Sequence, residues 1–359
     1  MLKILFILPL FSGGGAERVI LNLLAELHCH NYHVGIIVFN RNGRLSSLVP
    51  DGVPIYNLNT NTLRRSIVPL VRTIYKLRPK VIFSTFGYIN VALLSIRWFL
   101  PQRTKIWIRE ANLPSIGIPN NPYSKIMNIL YWVLYRKADK LVCTSARMKS
   151  EFNLDFSVPE SIIEILPNPV DVNTIRALSM PKNRFDRGGV CYVAAGRLVF
   201  QKGFDRLLLW FSELKDKNST LTILGKGDLK DELIRESELL NIRNRVKFLG
   251  FCDNPWQWYA GADVFLLPSR WEGMPNSVLE ALACGTPVIA TEESGGIKEI
   301  VERSKDNSVI TVIKSQQFVK AMKEVKIKNK GFELKSLLPE RYRKENVINI
   351  FEGWLNELK

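Results

Sequence analysis

The sequence contains the same succession of local patterns twice. The stretch "ILFILPLFSGGGAERVILNLLAEL" near the start, and "VCYVAAGRLVFQKGFDRLLLWFSEL" from Val190, each combine an apolar run, a glycine turn and a helical pattern. A buried strand that enters a helix through a glycine-rich turn is typical of the first unit of a doubly wound domain. Two such beginnings predict two α/β domains, each built on its own parallel sheet.

Apolar runs and helical patterns alternate along the whole chain, which predicts parallel sheets covered by helices. In the first half the predicted strands are 3–8, 33–39, 53–58, 81–84, 105–109, 140–144 and 162–166. In the second half they are 190–195, 221–224, 246–249, 264–267 and 287–290.

Chain length also favours two domains, because 359 residues exceed what one ordinary hydrophobic core holds. A segment rich in proline, asparagine and charge, "LPNPVDVNTIRALSMPKNRFDRGG", separates the two halves. We therefore predict domains at 1–170 and 171–338. Residues 339–359 have helical spacing, and we expect that helix to pack back on the first domain.

The N-terminal run "MLKILFILPLF" allows two interpretations, a short signal sequence or a buried parallel strand. The run is short and lacks a convincing cleavage site, so the strand is favoured. No run of 18 apolar residues predicts a spanning helix. The five cysteines are scattered without a C-x-x-C pair, which favours a reducing, cytoplasmic compartment.

Net charge is +16, and it is concentrated in the first half. No acidic residue occurs between Asp51 and Glu110, whereas ten basic residues do: Arg64, Arg65, Arg72, Lys76, Arg78, Lys80, Arg97, Arg103, Lys105 and Arg109. Three interpretations remain open: a solvated basic face, a nucleic-acid surface, or an anionic membrane surface. No recognisable nucleic-acid module accompanies the basic residues, so nucleic acid is not an expected partner.

The stretch 123–140, "YSKIMNILYWVLYRKADK", has aromatic side chains with basic flanks. Such a segment either lies in a bilayer interface or forms an ordinary helix that faces the core. The preceding basic segment favours the membrane interpretation.

Several motifs are absent. The sequence contains no G-x-x-x-x-G-K-[ST] loop, no complete G-x-G-x-x-G and no D-x-D. The three histidines, His28, His30 and His33, cluster around Cys29, but no further histidine completes a zinc site. We expect neither a metal nor a cofactor.

The motif "GRLVFQKGFD" places two cationic side chains between a strand and a helix. Arg197 and Lys202 would stand beside the free backbone N–H groups of the helix N-terminus, where an anion is stabilised. Together they predict a diphosphate site that needs no metal.

A second motif, "SRWEGMPNSVLEALACG", contains two carboxylates, Glu272 and Glu280. A tight loop would carry Glu272 after a strand, and a helix capped by Asn276 or Ser277 would carry Glu280. In doubly wound folds ligands bind at this edge of the sheet. A glycosidase would need the two carboxyl groups to face one another across one bond, whereas the cationic motif favours a donor with a diphosphate.

These two motifs in this order resemble the retaining glycosyltransferases of family 4, which have the GT-B fold. The similarity covers nearly the whole chain and includes "GGGAERVILNLLAEL", "LPNPVD", "LGKGDLKDEL", "VKFLGF" and "ESGGIKEIV". The resemblance implies two Rossmann-like domains that face a central cleft, with the acceptor bound by the first and a nucleotide sugar by the second.

The resemblance also implies a donor site. Arg197 and Lys202 would hold the diphosphate, Glu272 the transferred sugar and Glu280 the ribose. The full set of implied donor residues is Gly14, Gly15, Arg197, Lys202, Gly250, Phe251, Glu272, Gly273, Met274, Pro275, Asn276 and Glu280.

The chain departs from the family at one position. Many members have a histidine at the end of a late strand of the first domain, where this chain has "WIREAN" with Arg109 and Glu110. We assign these two residues and Gly13 to the acceptor side. Glu110 is either an acceptor base or a structural partner of Arg109.

The resemblance implies a metal-independent, retaining transfer of a hexose or N-acetylhexosamine from a UDP-linked donor. The acceptor would be a polyprenyl-diphosphate-linked saccharide in surface polysaccharide assembly, at the inner face of a bacterial membrane. A GT-B-shaped epimerase or phosphorylase is the alternative enzyme, and a basic nucleic-acid-binding protein is the alternative outside enzymes.

Overall fold

The structure is a computed structural model of the chain. It describes residues 2–12, 14–119, 123–179, 188–304, 308–312, 314–327 and 335–358.

The described chain forms parallel strands and helices in alternation. The strands are β1 Lys3–Leu8, β2 His33–Val38, β3 Ile55–Asn57, β4 Val81–Thr85, β5 Lys105–Arg109, β6 Lys140–Cys143, β7 Ile163–Ile165, β8 Cys191–Ala195, β9 Thr220–Leu224, β10 Val246–Gly250, β11 Val264–Leu267, β12 Val288–Thr291 and β13 Val309–Val312. The helices are α1 Gly15–Cys29, α2 Leu63–Leu77, α3 Gly87–Ser95, α4 Pro114–Gly117, α5 Ser124–Leu134, α6 Ala146–Phe156, α7 Val172–Leu178, α8 Phe204–Ser212, α9 Lys230–Leu239, α10 Trp256–Gly261, α11 Asn276–Ala283, α12 Ile297–Arg303, α13 Ser315–Lys323 and α14 Lys344–Asn356. All twelve predicted strands are confirmed, with ends displaced by at most two residues.

The chain divides into two compact units. The first contains Met1–Pro169 and Glu345–Lys359, and the second contains Val170–Lys344. Residues 339–343, which we expected to begin the terminal helix, therefore belong to the second unit. A bridge between Val170 and Arg343 and an ion pair of 2.8 Å between Asp171 and Lys344 hold them there.

The first unit is built on a seven-stranded sheet with the order β3-β2-β1-β4-β5-β6-β7. All its strand pairs are parallel. The apolar run at the N-terminus forms β1 in the middle of this sheet, and it is buried on both faces. Both faces need cover because parallel sheets bury both sides. Helices α2, α3, α5 and α6 cover one face, and α1 with α14 covers the other.

Helix α14 completes the core of the first unit with aromatic side chains. The ring of Phe351 lies 5.3 Å from that of Phe83 and 5.5 Å from that of Trp107, both edge-on. Trp354 packs edge-on against Trp107 at 6.0 Å. The C-terminal segment is thus part of the first unit, although the second unit separates it in sequence from the rest of the first unit.

The second unit is built on a six-stranded sheet with the order β10-β9-β8-β11-β12-β13, again with parallel pairs throughout. The sequence did not predict β13. This strand lies at the edge of the sheet and has an exposed residue, Ile310, so it lacks the continuous apolar run of the central strands.

We expect Phe351→Ala to destabilise the first unit by about 3–5 kcal/mol, because it removes a fully buried ring from an aromatic cluster. Differential scanning calorimetry should show one unfolding transition moving to lower temperature. The exposed Glu357 on the same terminal segment provides a control, Glu357→Ala, that should leave both transitions in place. An unchanged calorimetric trace for Phe351→Ala would contradict the packing of α14.

Candidate active site

The loops that follow β8, β9 and β10 meet at the carboxyl edge of the second sheet. Gly196 donates its backbone N–H to Leu224 at 2.9 Å, and Gly225 donates to Gly250 at 2.7 Å. Gly225 has a φ of +138°, and a Cβ there would lie 1.8 Å from the carbonyl oxygen of Gly196. Only glycine allows this close approach, which fixes the backbone on which the "GRLVFQKG" motif begins.

The structure brings together two of the predicted donor residues, Lys202 and Glu272. Lys202 Nζ lies 2.5 Å from Glu272 Oε1, and Ser269 Oγ donates to the same oxygen at 2.7 Å. Glu272 is only 7% exposed. Because a buried carboxylate is costly without a cation and hydrogen bonds, these two contacts offset the cost of burying it.

Two glycines, Gly295 and Gly296, pack against the backbone of the loop that carries Glu272. A Cβ at Gly295, where φ is +54°, would lie 1.8 Å from the carbonyl oxygen of Glu272. The backbone N–H of Gly296 donates to the carbonyl of Gly273 at 2.9 Å. The segment "ESGGI" thus packs directly against the backbone of the loop that carries Glu272. Larger residues at positions 295 and 296 would displace that loop.

Further donor-site residues of the second unit lie at the ends of β8, β10 and β11 or on the segments that follow these strands. Arg197 is exposed, and no hydrogen bond or ion pair of its guanidinium occurs among the described residues. Glu280 lies on α11 and is partly exposed, while Gly250 and Phe251 end β10 and begin the next loop.

Helix α11 begins differently from the expectation. Pro275 occupies the position before its first residue, and no side chain caps the helix. The prediction of a cap by Asn276 or Ser277 is therefore wrong. Asn276 is instead the first helical residue, because the proline supplies a rigid entry into the helix.

The two donor-site motifs are joined by contacts that the sequence did not predict, which we call the Arg270 brace. Arg270 binds Asp205 through two hydrogen bonds of 2.8 and 2.5 Å, and its guanidinium lies 3.9 Å from the ring centre of Phe200. Its backbone N–H also donates to Gln201 at 2.8 Å, and the Gln201 amide donates to the carbonyl of Trp271 at 2.9 Å. Lys202 and Glu272 are thus flanked by contacts that hold their loops together.

On the first unit, Arg109 lies at the end of β5 and is buried. Its guanidinium donates to Asn168 Oδ1 at 2.5 Å and to Thr85 Oγ1 at 3.4 Å. Burial lowers the pKa of Arg109 to about 10, although the nearby carboxylate of Glu110 opposes the shift. The side chain remains cationic at neutral pH.

Glu110 is held by three donors at a single oxygen. Its Oε1 accepts hydrogen bonds from Asn90 at 2.8 Å, from Tyr131 at 3.2 Å and from the hydroxyl of Tyr135. Burial raises the pKa of Glu110 above its ordinary value, and the three hydrogen bonds oppose that shift. Among the described residues, no hydrogen bond joins the side chains of Arg109 and Glu110, and none engages Glu110 Oε2.

The glycine turn of the first unit is described in part. Gly13 lies outside the described residues. Gly14 precedes α1 and Gly15 begins it. A Cβ at Gly14 would lie 2.3 Å from Glu17 Oε2, and the hydroxyl of Ser12 donates to Glu17 Oε1. The buried Glu17, in the first turn of α1, therefore packs against the glycine turn and holds it through Ser12.

The histidine cluster does not gather metal ligands. His30 instead pairs with Glu352 of α14 at 2.8 Å. Across the part of the chain that the structure describes, no group of three or more His, Cys, Asp or Glu side chains is arranged to hold a metal ion.

We expect Arg270→Ala to lower the free energy of unfolding by about 1–2 kcal/mol at neutral pH, because a bidentate, partly buried pair is lost. Burial tends to raise the pKa of Asp205, but the hydrogen bonds and charge of Arg270 hold it below the ordinary value. The stabilisation is therefore present above the unfolded-state pKa and is lost as pH falls through the folded-state pKa.

Thermal unfolding followed from neutral to acid pH checks this expectation. Wild type and Arg270→Ala should differ at neutral pH and converge in acid. Asp205→Asn should reproduce the effect, and the double variant should add little to either. Equal melting temperatures at neutral pH would show that the brace contributes nothing.

Comparisons with known proteins agree with the two-unit architecture. The family model described as "Glycosyltransferase Family 4" matches residues 13–174, and that described as "Glycosyl transferases group 1" matches residues 176–344.

Two curated relatives and one solved structure span most of the chain. An N-acetylgalactosamine-N,N'-diacetylbacillosaminyl-diphospho-undecaprenol 4-alpha-N-acetylgalactosaminyltransferase of Campylobacter jejuni is 29% identical over 360 residues, covering 92% of this chain and 95% of the relative. The amylovoran biosynthesis glycosyltransferase AmsD of Erwinia amylovora is 24% identical over 324 residues, covering 89% of each. Anabaena HepE in complex with UDP and glucose superposes with a TM-score of 0.78 at 19% identity, covering 99% of this chain and 100% of the other. With a glycosyltransferase family model matched on each half and the GT-B fold present over nearly its whole length, this chain belongs to the family 4 glycosyltransferases.

Proposed function

We propose that this glycosyltransferase moves a hexose or N-acetylhexosamine from a UDP-linked donor to a hydroxyl of a polyprenyl-diphosphate-linked saccharide, with retention of the anomeric configuration. The reaction belongs to surface polysaccharide assembly, of O-antigen or capsule type. The single observation that carries the proposal is the Lys202–Glu272 pair at the carboxyl edge of the second sheet.

This pair joins the two groups that the donor requires. Breaking the glycosidic bond leaves negative charge on the diphosphate, and fixed cations near that charge lower the barrier. Lys202 supplies one cation and the exposed Arg197 the other, so the leaving group is stabilised without a metal. When the diphosphate engages Lys202, Glu272 Oε1 gains capacity to accept hydrogen bonds from the sugar hydroxyls.

Retention follows from attack on the same face of the sugar that the diphosphate leaves. In this mechanism the acceptor hydroxyl enters an ion pair of sugar cation and diphosphate, and the leaving phosphate takes its proton. Neither Glu272 nor Glu280 then transfers a proton. They hold the sugar and the ribose of one donor.

The relatives support the donor and the acceptor classes. The Campylobacter jejuni relative is named for transfer of N-acetylgalactosamine to a diphospho-undecaprenol-linked sugar, and HepE binds UDP and glucose in its structure. The Erwinia amylovora relative is named for amylovoran biosynthesis.

The first unit is proposed to bind the acceptor through Gly13, Arg109 and Glu110. The free oxygen of Glu110, Oε2, would accept a hydrogen bond from the acceptor hydroxyl, while the buried Arg109 offsets its charge.

A peripheral position on the cytoplasmic face of the cell membrane completes the proposal. None of the described helices has both the length and the apolar character to cross a bilayer. Helix α2 exposes basic residues, namely Arg64, Arg65, Arg72 and Lys76, that would face anionic lipid headgroups.

The rate of sugar transfer tests the assignment of Lys202 and Glu272 to the donor site. Lys202→Ala and Glu272→Ala should each reduce kcat/KM by roughly 10²-fold or more, since each removes a contact to the reacting part of the donor. Release of free UDP should require the acceptor, which separates transfer from epimerisation and phosphorolysis. The NMR coupling constant of the product from an α-linked donor should report an α-linkage.

Two exposed residues of α9 provide matched controls for these variants. Lys230→Ala and Glu238→Ala remove the same charges from the surface and should retain full activity. Full activity in Lys202→Ala or Glu272→Ala would refute the site, and a β-linked product would refute retention.

Glu110→Gln tests the acceptor side. The variant keeps an oxygen for the hydroxyls of Tyr131 and Tyr135, so the melting temperature should change little. We expect the KM for the acceptor to rise about tenfold while the KM for the donor stays constant, because a charged hydrogen bond is lost. A loss confined to kcat, of about 10²-fold or more, would instead identify Glu110 as the base. Unchanged kinetics would leave Glu110 a purely structural role.

A further inference from the structure

Helix α5 exposes large apolar side chains on the side opposite the core. Ile126, Ile129, Trp132 and Val133 are 58%, 63%, 49% and 37% exposed. At 3.6 residues per turn these four lie within one face of the helix. We name them the α5 ridge. Soluble surfaces carry single exposed apolar residues, whereas four on one helical face indicate a binding surface.

The helix cannot turn to bury the ridge, because its other face is already fixed in the core. The rings of Tyr131 and Tyr135 stack at 4.0 Å, and both hydroxyls donate to the buried Glu110. Leu134 is also buried there. Rotation would break these hydrogen bonds, so the ridge is held towards solvent.

A second exposed apolar pair lies close to the end of α5. Trp98 and Phe99 are 84% and 66% exposed, on the short turn after α3. Arg97 in the same turn binds Asp139, just beyond α5, at 2.6 Å. This ion pair joins the turn that carries the two aromatic side chains to the segment that follows α5.

Basic residues dominate the charge within residues 52–138, and the next carboxylate along the chain, Asp139, is paired with Arg97 and Lys105. Residues 52–138 contain thirteen Lys and Arg but only one carboxylate, Glu110, and that carboxylate is buried. Lys125, Arg136 and Lys137 on or beside α5 are exposed, and Arg136 lies 4.3 Å from the ring centre of Trp132. Helix α2, with its exposed arginines, covers the same face of the sheet as α5.

We propose that the α5 ridge, with Trp98 and Phe99, is a docking surface that inserts into the headgroup region of an anionic lipid bilayer. Apolar and aromatic side chains flanked by Arg and Lys are suited to this boundary, where the former are buried and the latter meet phosphate. A second copy of the chain is a poorer partner, because pairing would bring two strongly cationic faces together. The inference deepens the proposed function, on which it rests for the location of the acceptor, but membrane binding is measured without transfer.

Co-sedimentation with phosphatidylcholine vesicles, with and without phosphatidylglycerol, tests the docking surface. The double variant I129S/W132S should bind the anionic vesicles on the order of tenfold more weakly than wild type, because two inserted apolar side chains are lost. L239S removes an apolar residue of α9 that is more exposed than either, at 82%, and should bind as wild type does. Replacing Arg64, Arg65 and Arg72 by Gln should weaken binding only to the vesicles with phosphatidylglycerol.

A second measurement does not depend on the ridge variant. Quenching of wild-type tryptophan fluorescence by bromine-labelled lipid should be strong, and W132F should reduce it. Equal vesicle binding by wild type and I129S/W132S, or absence of quenching, would overturn the proposal. So would a concentration-dependent dimer in sedimentation velocity that I129S/W132S abolishes, since the ridge would then bind a second copy.

A water-soluble acceptor saccharide without lipid separates this inference from the proposed function. I129S/W132S should transfer sugar to it at the wild-type rate, because the ridge touches neither proposed substrate site. Failure of wild type to transfer sugar to any acceptor would count against the proposed function, while the vesicle results would still decide the docking surface.

Discussion

Parallel pairing of the strands is the constraint on which the rest of the structure depends. Each strand of a parallel sheet must be followed by a crossover, so every loop after a strand opens at the same edge. In the second unit this edge collects the two motifs that contain Lys202 and Glu272, although seventy residues separate them. Glycines at 225 and 295 allow the loops to approach more closely than any side chain permits.

A buried carboxylate at that edge sets the electrostatics of the proposed donor site. Glu272 needs a cation because charge is costly away from water, and Lys202 supplies it. The same lysine is the proposed diphosphate ligand. The donor is thus expected to enter a site whose two charged groups are already fixed, with the brace through Arg270 and Asp205 limiting their movement. Little reorganisation is then required when charge develops on the leaving group.

The first unit uses a different arrangement of polar groups. Its helix α5 has two apolar faces, one that packs over the sheet and one that faces solvent. The hydroxyls of Tyr131 and Tyr135 connect the inner face to Glu110, beside the proposed acceptor site. The helix that carries the proposed membrane surface thus also contacts Glu110 of the proposed acceptor site through Tyr131, in keeping with an acceptor attached to a lipid.

The sequence by itself determined the two parallel α/β units. The spacing of apolar residues shows locally which side chains a strand or a helix buries, and the glycine turns mark where one element ends and the next begins. The sequence also predicted Lys202 and Glu272 as donor-site residues, but not that they bind each other. It missed β13, whose exposed edge position interrupts the apolar run. The partners of Glu110, the brace at Arg270 and the outward face of α5 were decided only by the tertiary structure. Each of these features depends on which distant segments the crossovers bring into contact. The spacing of residues within one segment does not show which distant segment will pack against it.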